Sequence, residues 1–181
     1  MNLIAQLIGI IAMGFNIISY QFKRKRDVLL CQMVGGALFA VNMFMLDAVS
    51  GFVLNVLAAI RAVVYICSEK YGWNVKRINL LFMIAFMMSY VSVFTVFDVP
   101  VTVVRLVIEL LPVIGMVALT IGFSKTDAKS IRLYGSISSP SWLVYNCINF
   151  SIGGIICETI SIISIITAYF RLDKNSCEVS K

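Results

Sequence analysis

The chain contains no histidine and few charged residues, and both shortages narrow the functions open to it. Only 13% of its 181 residues are charged, whereas 60% are hydrophobic, which is far from the composition of a water-soluble domain. The absence of histidine excludes imidazole metal sites, Ser-His-Asp triads and histidine proton relays. A phosphate-binding Gly-Lys-Ser/Thr loop is also missing. We therefore expect no enzymatic activity and no bound cofactor or metal.

Long apolar segments separated by short polar breaks make up most of the chain. A helix needs about 20 apolar residues to cross a bilayer, and it must satisfy its own backbone hydrogen bonds there. Seven segments meet these conditions: 3–22, 28–46, 50–67, 78–97, 101–122, 133–149 and 152–170. The predicted fold class is all-α, a polytopic membrane protein of seven transmembrane helices whose main partner is the lipid bilayer.

The basic residues lie in alternate connections between these segments. Thirteen of the 15 Lys and Arg residues follow the first, third and fifth segments or lie in the C-terminal tail. The other connections carry only Asp47 and Asp98 as charged residues. Because basic connections stay in the cytoplasm, the N-terminus is predicted outside and the C-terminus inside. This topology signal also accounts for the net charge of +6, so no nucleic-acid partner is expected.

The first three and last three segments are related by a shift of 103 residues. The shift sets Gly51 on Gly154 and Asn55 on Glu158, and it keeps helix ends, basic loops and tight turns in step. Both units begin outside and end inside, so they are predicted to be parallel repeats in a 3+1+3 arrangement. The predicted divisions are 1–70 for the first repeat, 71–100 for the linker helix, 101–172 for the second repeat and 173–181 for a cytoplasmic tail.

Ionisable residues inside the apolar segments are the first functional candidates, because such groups usually face a cavity or a partner. Arg105 and Glu109 are four residues apart, hence on one helix face where a structural pair can form. Arg61 lies roughly 15 Å into its segment, at about 1.5 Å per residue. It could contact a substrate or anion, or form a salt bridge to Glu158 or Glu109. Glu158 could also be a proton-coupling carboxylate.

Neutral polar and aromatic residues complete the candidate site. Any one asparagine could instead form a hydrogen bond between helices, and Trp142 could be a packing or interfacial aromatic. Pro112 and Pro140 are candidate hinges, because proline removes a backbone donor from a helix. The candidate substrate-binding residues are Arg61, Asn55, Glu158, Asn42, Asn146 and Trp142.

Several short motifs resemble the SWEET and PQ-loop transporters, which are built from three helices, a linker helix and three more. Ser19-Tyr20-Gln21, before the basic cluster, is similar to their Ser-Pro-Gln loop, and Trp142-Leu143-Val144-Tyr145 is similar to their Trp-x-x-Tyr motif. The two mid-segment prolines match hinge prolines of that superfamily. Asn55 matches a substrate-facing asparagine, and Glu158 replaces its counterpart. This resemblance implies transport of a small solute.

Over its whole length the chain is similar to the YgjV family of bacterial inner-membrane proteins. The shared features are the length, the basic loop after Tyr20-Gln21 and Arg61 on the third segment. This resemblance implies a multi-pass protein of the bacterial inner membrane. We expect a transporter-like protein that moves or binds a small polar solute between its halves. The alternative is a receptor or an assembly or scaffold factor that transports nothing, and a homo-oligomer is compatible with either function.

Overall fold

The computed structural model describes residues 3–19, 25–124 and 128–168, which are helical except for short turns and contain no strand. Each predicted membrane segment corresponds to one helix, and most boundaries agree within a few residues. The residues predicted to form the cytoplasmic tail lie outside the described part. The helices are α1 (Leu3–Ser19), α2 (Lys25–Met45), α3 (Val49–Tyr71), α4 (Val75–Thr95), α5 (Val103–Ser124), α6 (Ala128–Ile148) and α7 (Ile152–Ala168).

Apolar length differs between the helices. Among the described helices, three are long and apolar enough to cross a bilayer: α3, α4 and the part of α5 that spans Val103–Gly122. The apolar parts of α1, α2 and α7 are shorter, between 10 and 17 residues. Many large apolar side chains are exposed along the helices, among them Leu81 and Met88. Such a surface suits contact with lipid, as expected for a multi-pass membrane protein.

The helices pack in chain order and form a closed ring. Consecutive helices contact one another, α4 lies against α3 and α5, and two further contacts join α1 to α7 and α3 to α5. The turns at 46–48, 96–102 and 149–151 lie at the same end of the bundle as the beginning of α1, because Gln6 hydrogen-bonds the 149–151 turn. We call this the turn end; it is the end that the charge distribution predicts to lie outside.

The turns between α2 and α3 and between α6 and α7 share one backbone geometry at a spacing of 103 residues. Asp47 and Phe150 occupy equivalent places, with left-handed φ values of 56° and 53°. In each turn the next residue donates its N–H to the carbonyl five residues back, at 2.9 Å in the first turn and 3.0 Å in the second. Left-handed φ is uncommon for a residue as bulky as phenylalanine, but helices often end in this conformation, and Asp98 in the α4–α5 turn has it too, with a φ of 51°. There the N–H of Val99 donates to the carbonyl six residues back. The left-handed φ combined with the bond five residues back is therefore what the two turns share and what supports the repeat.

Close packing beneath the two turns repeats as well. A Cβ added to Gly51 would lie 2.9 Å from Sδ of Met43, and one added to Gly154 would lie 2.5 Å from Cγ of Asn146. Residues 43 and 146 are again 103 apart, so each turn folds back on its preceding helix in the same way. These observations concern two turns and support the repeat; the complete 3+1+3 arrangement stays a prediction.

Neither mid-segment proline ends its helix. Pro112 lies within α5 and Pro140 within α6. Pro112 is fully buried, whereas Pro140 is exposed. Each proline removes one hydrogen-bond donor from its helix, so both remain candidate hinges.

Candidate functional site

The six candidate binding residues are distributed over several helix contacts. Asn42 lies where α2 meets α1 and α7, and Asn146 lies between α6 and α7. Arg61 joins α3 to α5, and Trp142 joins α6 to α5. Glu158, on α7, lies beside a residue of α6, and Asn55 bonds within α3. The individual contacts show which of these residues belong together.

Asn42 of α2 is joined by side-chain hydrogen bonds to α1 and to the α6–α7 turn. Its Nδ2 donates to the carbonyl oxygen of Ala5 at 2.7 Å, and its Oδ1 accepts from Oγ of Ser151 at 2.8 Å. The side chain is fully buried, so both bonds lie away from solvent. This is the interhelical use of asparagine that is common in membrane proteins.

Gln6 makes a second polar connection between α1 and the α6–α7 turn. Its Nε2 donates to the carbonyl oxygen of Phe150 at 2.8 Å, and its Oε1 accepts from the N–H of Ile152 at 2.9 Å. Gln6 is not among the predicted binding residues, because a polar residue near the start of an apolar segment is ordinarily assigned to the interface. Its equivalence to Glu109 under the 103-residue shift is the signal that could have identified it.

Two glycines bring α1 and α7 into direct backbone contact. A Cβ added to Gly153 would lie 2.2 Å from the carbonyl carbon of Gly9 and 2.3 Å from its oxygen. No side chain fits at that separation, so this crossing requires glycine. We call the contact between α1 and α7 the glycine seam.

Arg61 is buried where α3 meets α4 and α5, with 5% of the residue exposed. Its Nη1 donates to Oγ1 of Thr120 at 2.6 Å and lies 3.4 Å from the carbonyl oxygen of Met116. The guanidinium carbon lies 6.0 Å from the ring centroid of Phe86, at the limit of a cation–π contact. The arginine therefore links the two halves of the chain across what we call the α3–α5 seam.

Tyr145 of α6 makes a second contact between α3 and the second half, beside the α3–α5 seam and nearer the turn end. The N–H of Gly51 in α3 donates to its hydroxyl at 2.9 Å. The same hydroxyl lies 3.5 Å from Oε2 of Glu109 in α5. Trp142, one turn earlier in α6, packs edge-on against Tyr145 and fills the space beside Gly115. Tyr145 and Glu109 thus belong with Trp142, although neither is among the six predicted binding residues.

Each of the two candidate carboxylates has a described partner other than Arg61. Glu109 pairs with Arg105 on its own helix at 3.5 Å, which confirms the predicted i,i+4 pair. Glu158 lies beside Ser139 of α6. The described hydrogen bonds of Arg61 go to a hydroxyl and a carbonyl of α5. A salt bridge from Arg61 to either glutamate therefore stays a prediction.

Asn55 and Asn146 differ in how their amides are satisfied. Asn55 donates to the carbonyl of Gly51 in its own helix at 2.8 Å. Asn146 packs against Gly154, and its Oδ1 has no hydrogen-bond partner; within the described residues, the buried hydroxyl of Ser50 shares this property. Buried polar atoms without partners are costly, so both mark places where a bound polar group would be stabilised.

An apolar groove of about 380 Å³ lies between α4, α5 and α6. Met87, Val113 and Ile137 are among its lining residues, and the candidate binding residues are not among them. Its lining suits a hydrocarbon chain better than a polar solute. Within residues 3–19, 25–124 and 128–168, no cluster of three His, Cys, Asp or Glu side chains could hold a metal ion.

Comparison with known proteins identifies the family. The family model Imp-YgjV, described as bacterial inner membrane protein, matches residues 3–176. No curated protein and no solved structure matches the chain, and the resemblance to SWEET and PQ-loop transporters stays a prediction. The match spans nearly all of the chain and agrees with its apolar helices and lipid-facing surface. The chain belongs to the Imp-YgjV family of bacterial inner membrane proteins and is a multi-pass protein of that membrane.

Proposed function

We propose that this protein is a transporter of a small polar solute, in which two three-helix halves move against each other. The observation that carries the proposal is the turn geometry repeated at residues 47 and 150. Parallel repeats related by an axis along the membrane normal are a common construction of transporters, which bind their solute between the repeats. The repeated turns support such a pair of units here.

In this proposal the solute binds along the α3–α5 seam. Arg61 supplies a buried cation there, Glu109 supplies a buried carboxylate, and Tyr145 supplies a hydroxyl. Ser50 precedes Gly51, whose N–H donates to Tyr145, and it has a buried hydroxyl without a hydrogen-bond partner. Ionisable groups are expensive in a membrane and usually face a pathway or a partner. Their concentration on one seam supports a polar solute.

The other predicted site residues take different roles in this proposal. Trp142 forms a wall of the site, because it packs against Tyr145, and Asn146 offers an acceptor on the α7 side. Asn42 stabilises the contact between α1 and α7, and Asn55 and Glu158 lie to the side of the pathway. The two prolines act as hinges in α5 and α6.

A receptor or an assembly factor is the second candidate function. Its support is the completeness of the hydrogen bonds of Asn42 and Gln6, which suits a static bundle. In that case the buried charges would be structural, and no solute would cross the membrane.

Purified protein in liposomes tests the proposal. Thermal shift and uptake would be measured across sugars, nucleosides, amino acids and organic anions, with Arg61→Ala beside the wild type. Arg77→Ala is the matched control, because it removes an exposed cation at the beginning of α4. A solute whose binding and uptake disappear in Arg61→Ala, and persist in Arg77→Ala, would establish the transporter.

A second variant separates loss of the site from loss of the fold. Arg61→Lys keeps the positive charge but not the paired N–H groups of the guanidinium, and it is expected to fold with weakened binding. Wild-type uptake by a folded Arg61→Ala protein would contradict the assignment of the site. A panel without any ligand would favour the receptor or assembly function.

A further inference from the structure

The α3–α5 seam and the glycine seam are equivalent under the 103-residue shift, yet they are built differently. The shift relates α1 to α5 and α7 to α3, so it exchanges one seam for the other. In a symmetric protein the two would have the same contacts. Their differences therefore indicate which contact is fixed and which can change.

The glycine seam is closed by backbone contact and by two hydrogen bonds from Gln6 of α1, and a third bond joins the neighbouring α2 to the α6–α7 turn. Gly9 and Gly153 allow α1 and α7 to touch directly. Gln6 makes two bonds to the beginning of α7 and its turn, and Asn42 accepts one from Ser151. Separating these helices would remove the close packing and the bonds together. Interhelical hydrogen bonds and van der Waals packing are what hold helices together in a membrane.

The equivalent positions on the α3–α5 seam carry other residues. Pro112 and Ser50 stand where the glycine seam has Gly9 and Gly153, and their side chains prevent the same backbone approach. Accordingly, α3 and α5 touch over a shorter length than α1 and α7. The linker helix α4 packs beside this contact and covers part of it.

The polar residues of the glycine seam are also replaced by different ones at the α3–α5 seam. Glu109 stands at the place equivalent to Gln6, and Tyr145 at the place equivalent to Asn42. Two described polar contacts join α3 to the second half, beside buried apolar side chains such as Leu54 of α3 and Met116 of α5, which belong to one core cluster. One joins Gly51 to Tyr145 near the turn end, and the other joins Arg61 to Thr120 and Met116. Ten residues of α3 separate Gly51 from Arg61, or roughly 15 Å at about 1.5 Å per residue.

We propose that the glycine seam is the pivot and that the α3–α5 seam opens, with Gly51–Tyr145 as the gate at the turn end and Arg61–Thr120 as the deeper gate. This inference rests on the proposed function, since a transporter must expose its site to each side in turn. At each gate the described hydrogen bonds number one or two and lie beside apolar side chains of one core cluster. Side chains can repack as a seam opens, whereas the backbone contact of the glycine seam cannot, so either gate can open while the pivot stays packed. The solute pathway then runs between the gates and passes Ser50 and Glu109.

Distances between spin labels across the two seams test the proposal. One pair would join Asp47 to Thr102, across the α3–α5 seam. The other would join Leu3 to Phe150, across the glycine seam. All four residues are exposed at the turn end. The labels would be placed in full-length protein whose five native cysteines are replaced by alanine, once that parent has shown the wild-type melting temperature.

We expect the 47–102 distances in lipid nanodiscs to be split or about twice as wide as the 3–150 distances, because only one seam opens. Tyr145→Phe, which removes the hydroxyl that binds Gly51, should shift the 47–102 population further towards long distances. It should leave the 3–150 distance unchanged. Arg77→Ala is the control and should change neither distribution.

Two outcomes would overturn the proposal. In the first, the 3–150 distance broadens while the 47–102 distance stays narrow, which would make the glycine seam the mobile one. In the second, both distances stay single and narrow in wild type and in Tyr145→Phe, which would make both seams static. Distances are measured without a solute, so an opening seam combined with failed uptake would support this inference and contradict only the transport function.

Discussion

At the scale of single residues, the described contacts separate positions that tolerate change from those that do not. Gly153 lies against the backbone of Gly9, whereas a Cβ at Gly14 would meet nothing within 4 Å. Gly9 and Gly14 both lie in α1 and look alike in sequence. Only their neighbours in space distinguish them.

Gly153→Ala should strongly destabilise the protein, because its methyl group would overlap the backbone of α1. Overpacking of this kind costs about 1–3 kcal/mol, and more where backbone must move. Gly14→Ala is the matched control; it should leave stability within about 1 kcal/mol of wild type, since alanine favours helix and has space here. Melting temperature in detergent measures both variants. Equal melting temperatures would contradict direct contact between α1 and α7.

Asn42→Leu should cost about 1–2 kcal/mol, because it removes two buried interhelical hydrogen bonds and leaves Ser151 without its acceptor. Asn55→Leu provides the comparison, since the described hydrogen bond of Asn55 lies within its own helix. Thermal unfolding of the two variants in the same detergent would measure the difference. The distinction fails if Asn55→Leu is the more damaging substitution.

At the scale of helices, alternating apolar segments and polar breaks predicted all seven elements. The largest boundary difference is at α6, which begins at Ala128 although its apolar segment begins near 133. Helical hydrogen bonding does not require lipid, so a helix continues past the hydrocarbon region into residues of good helix propensity. Hydropathy therefore locates the membrane-facing part of a helix better than its end.

The placement of helices also decides the partner of Arg61. The variant Arg61→Glu should be destabilised, and adding Glu158→Arg should not restore it, because Glu158 lies beside Ser139 rather than at the α3–α5 seam. Melting temperature and the yield of monodisperse protein report the outcome. Restoration of wild-type stability in the double variant would show that the two residues pair after all.

At the scale of the whole molecule, three turns with little charge share one end of the bundle. The charge distribution predicts that this end faces the periplasm. In the cysteine-free parent, Asp98→Cys and Phe150→Cys should react with a membrane-impermeant maleimide in spheroplasts. Lys70→Cys, exposed at the end of α3, should react only after the membrane is permeabilised. The reverse pattern would invert the predicted orientation.

Part of the candidate site could be predicted from sequence. Arg61 was identifiable because a guanidinium within an apolar segment needs compensation wherever the chain folds. Gln6 was not, because amide groups are common in membrane helices and acquire a role only from the helix opposite. The glutamates were recognised as lying inside apolar segments, but assigning their partners required knowing which helices adjoin.

Composition, the absence of histidine, the spacing of apolar segments and the position of basic residues sufficed to predict an all-α membrane protein of seven helices. These properties follow from local chemistry, because each helix must match the bilayer on its own. The tertiary structure decided that α1 touches α7 through glycine, that Arg61 reaches Thr120, and that Glu158 stands apart. Those contacts join residues distant in the chain, and they depend on the packing of particular side chains, which hydropathy and charge do not encode.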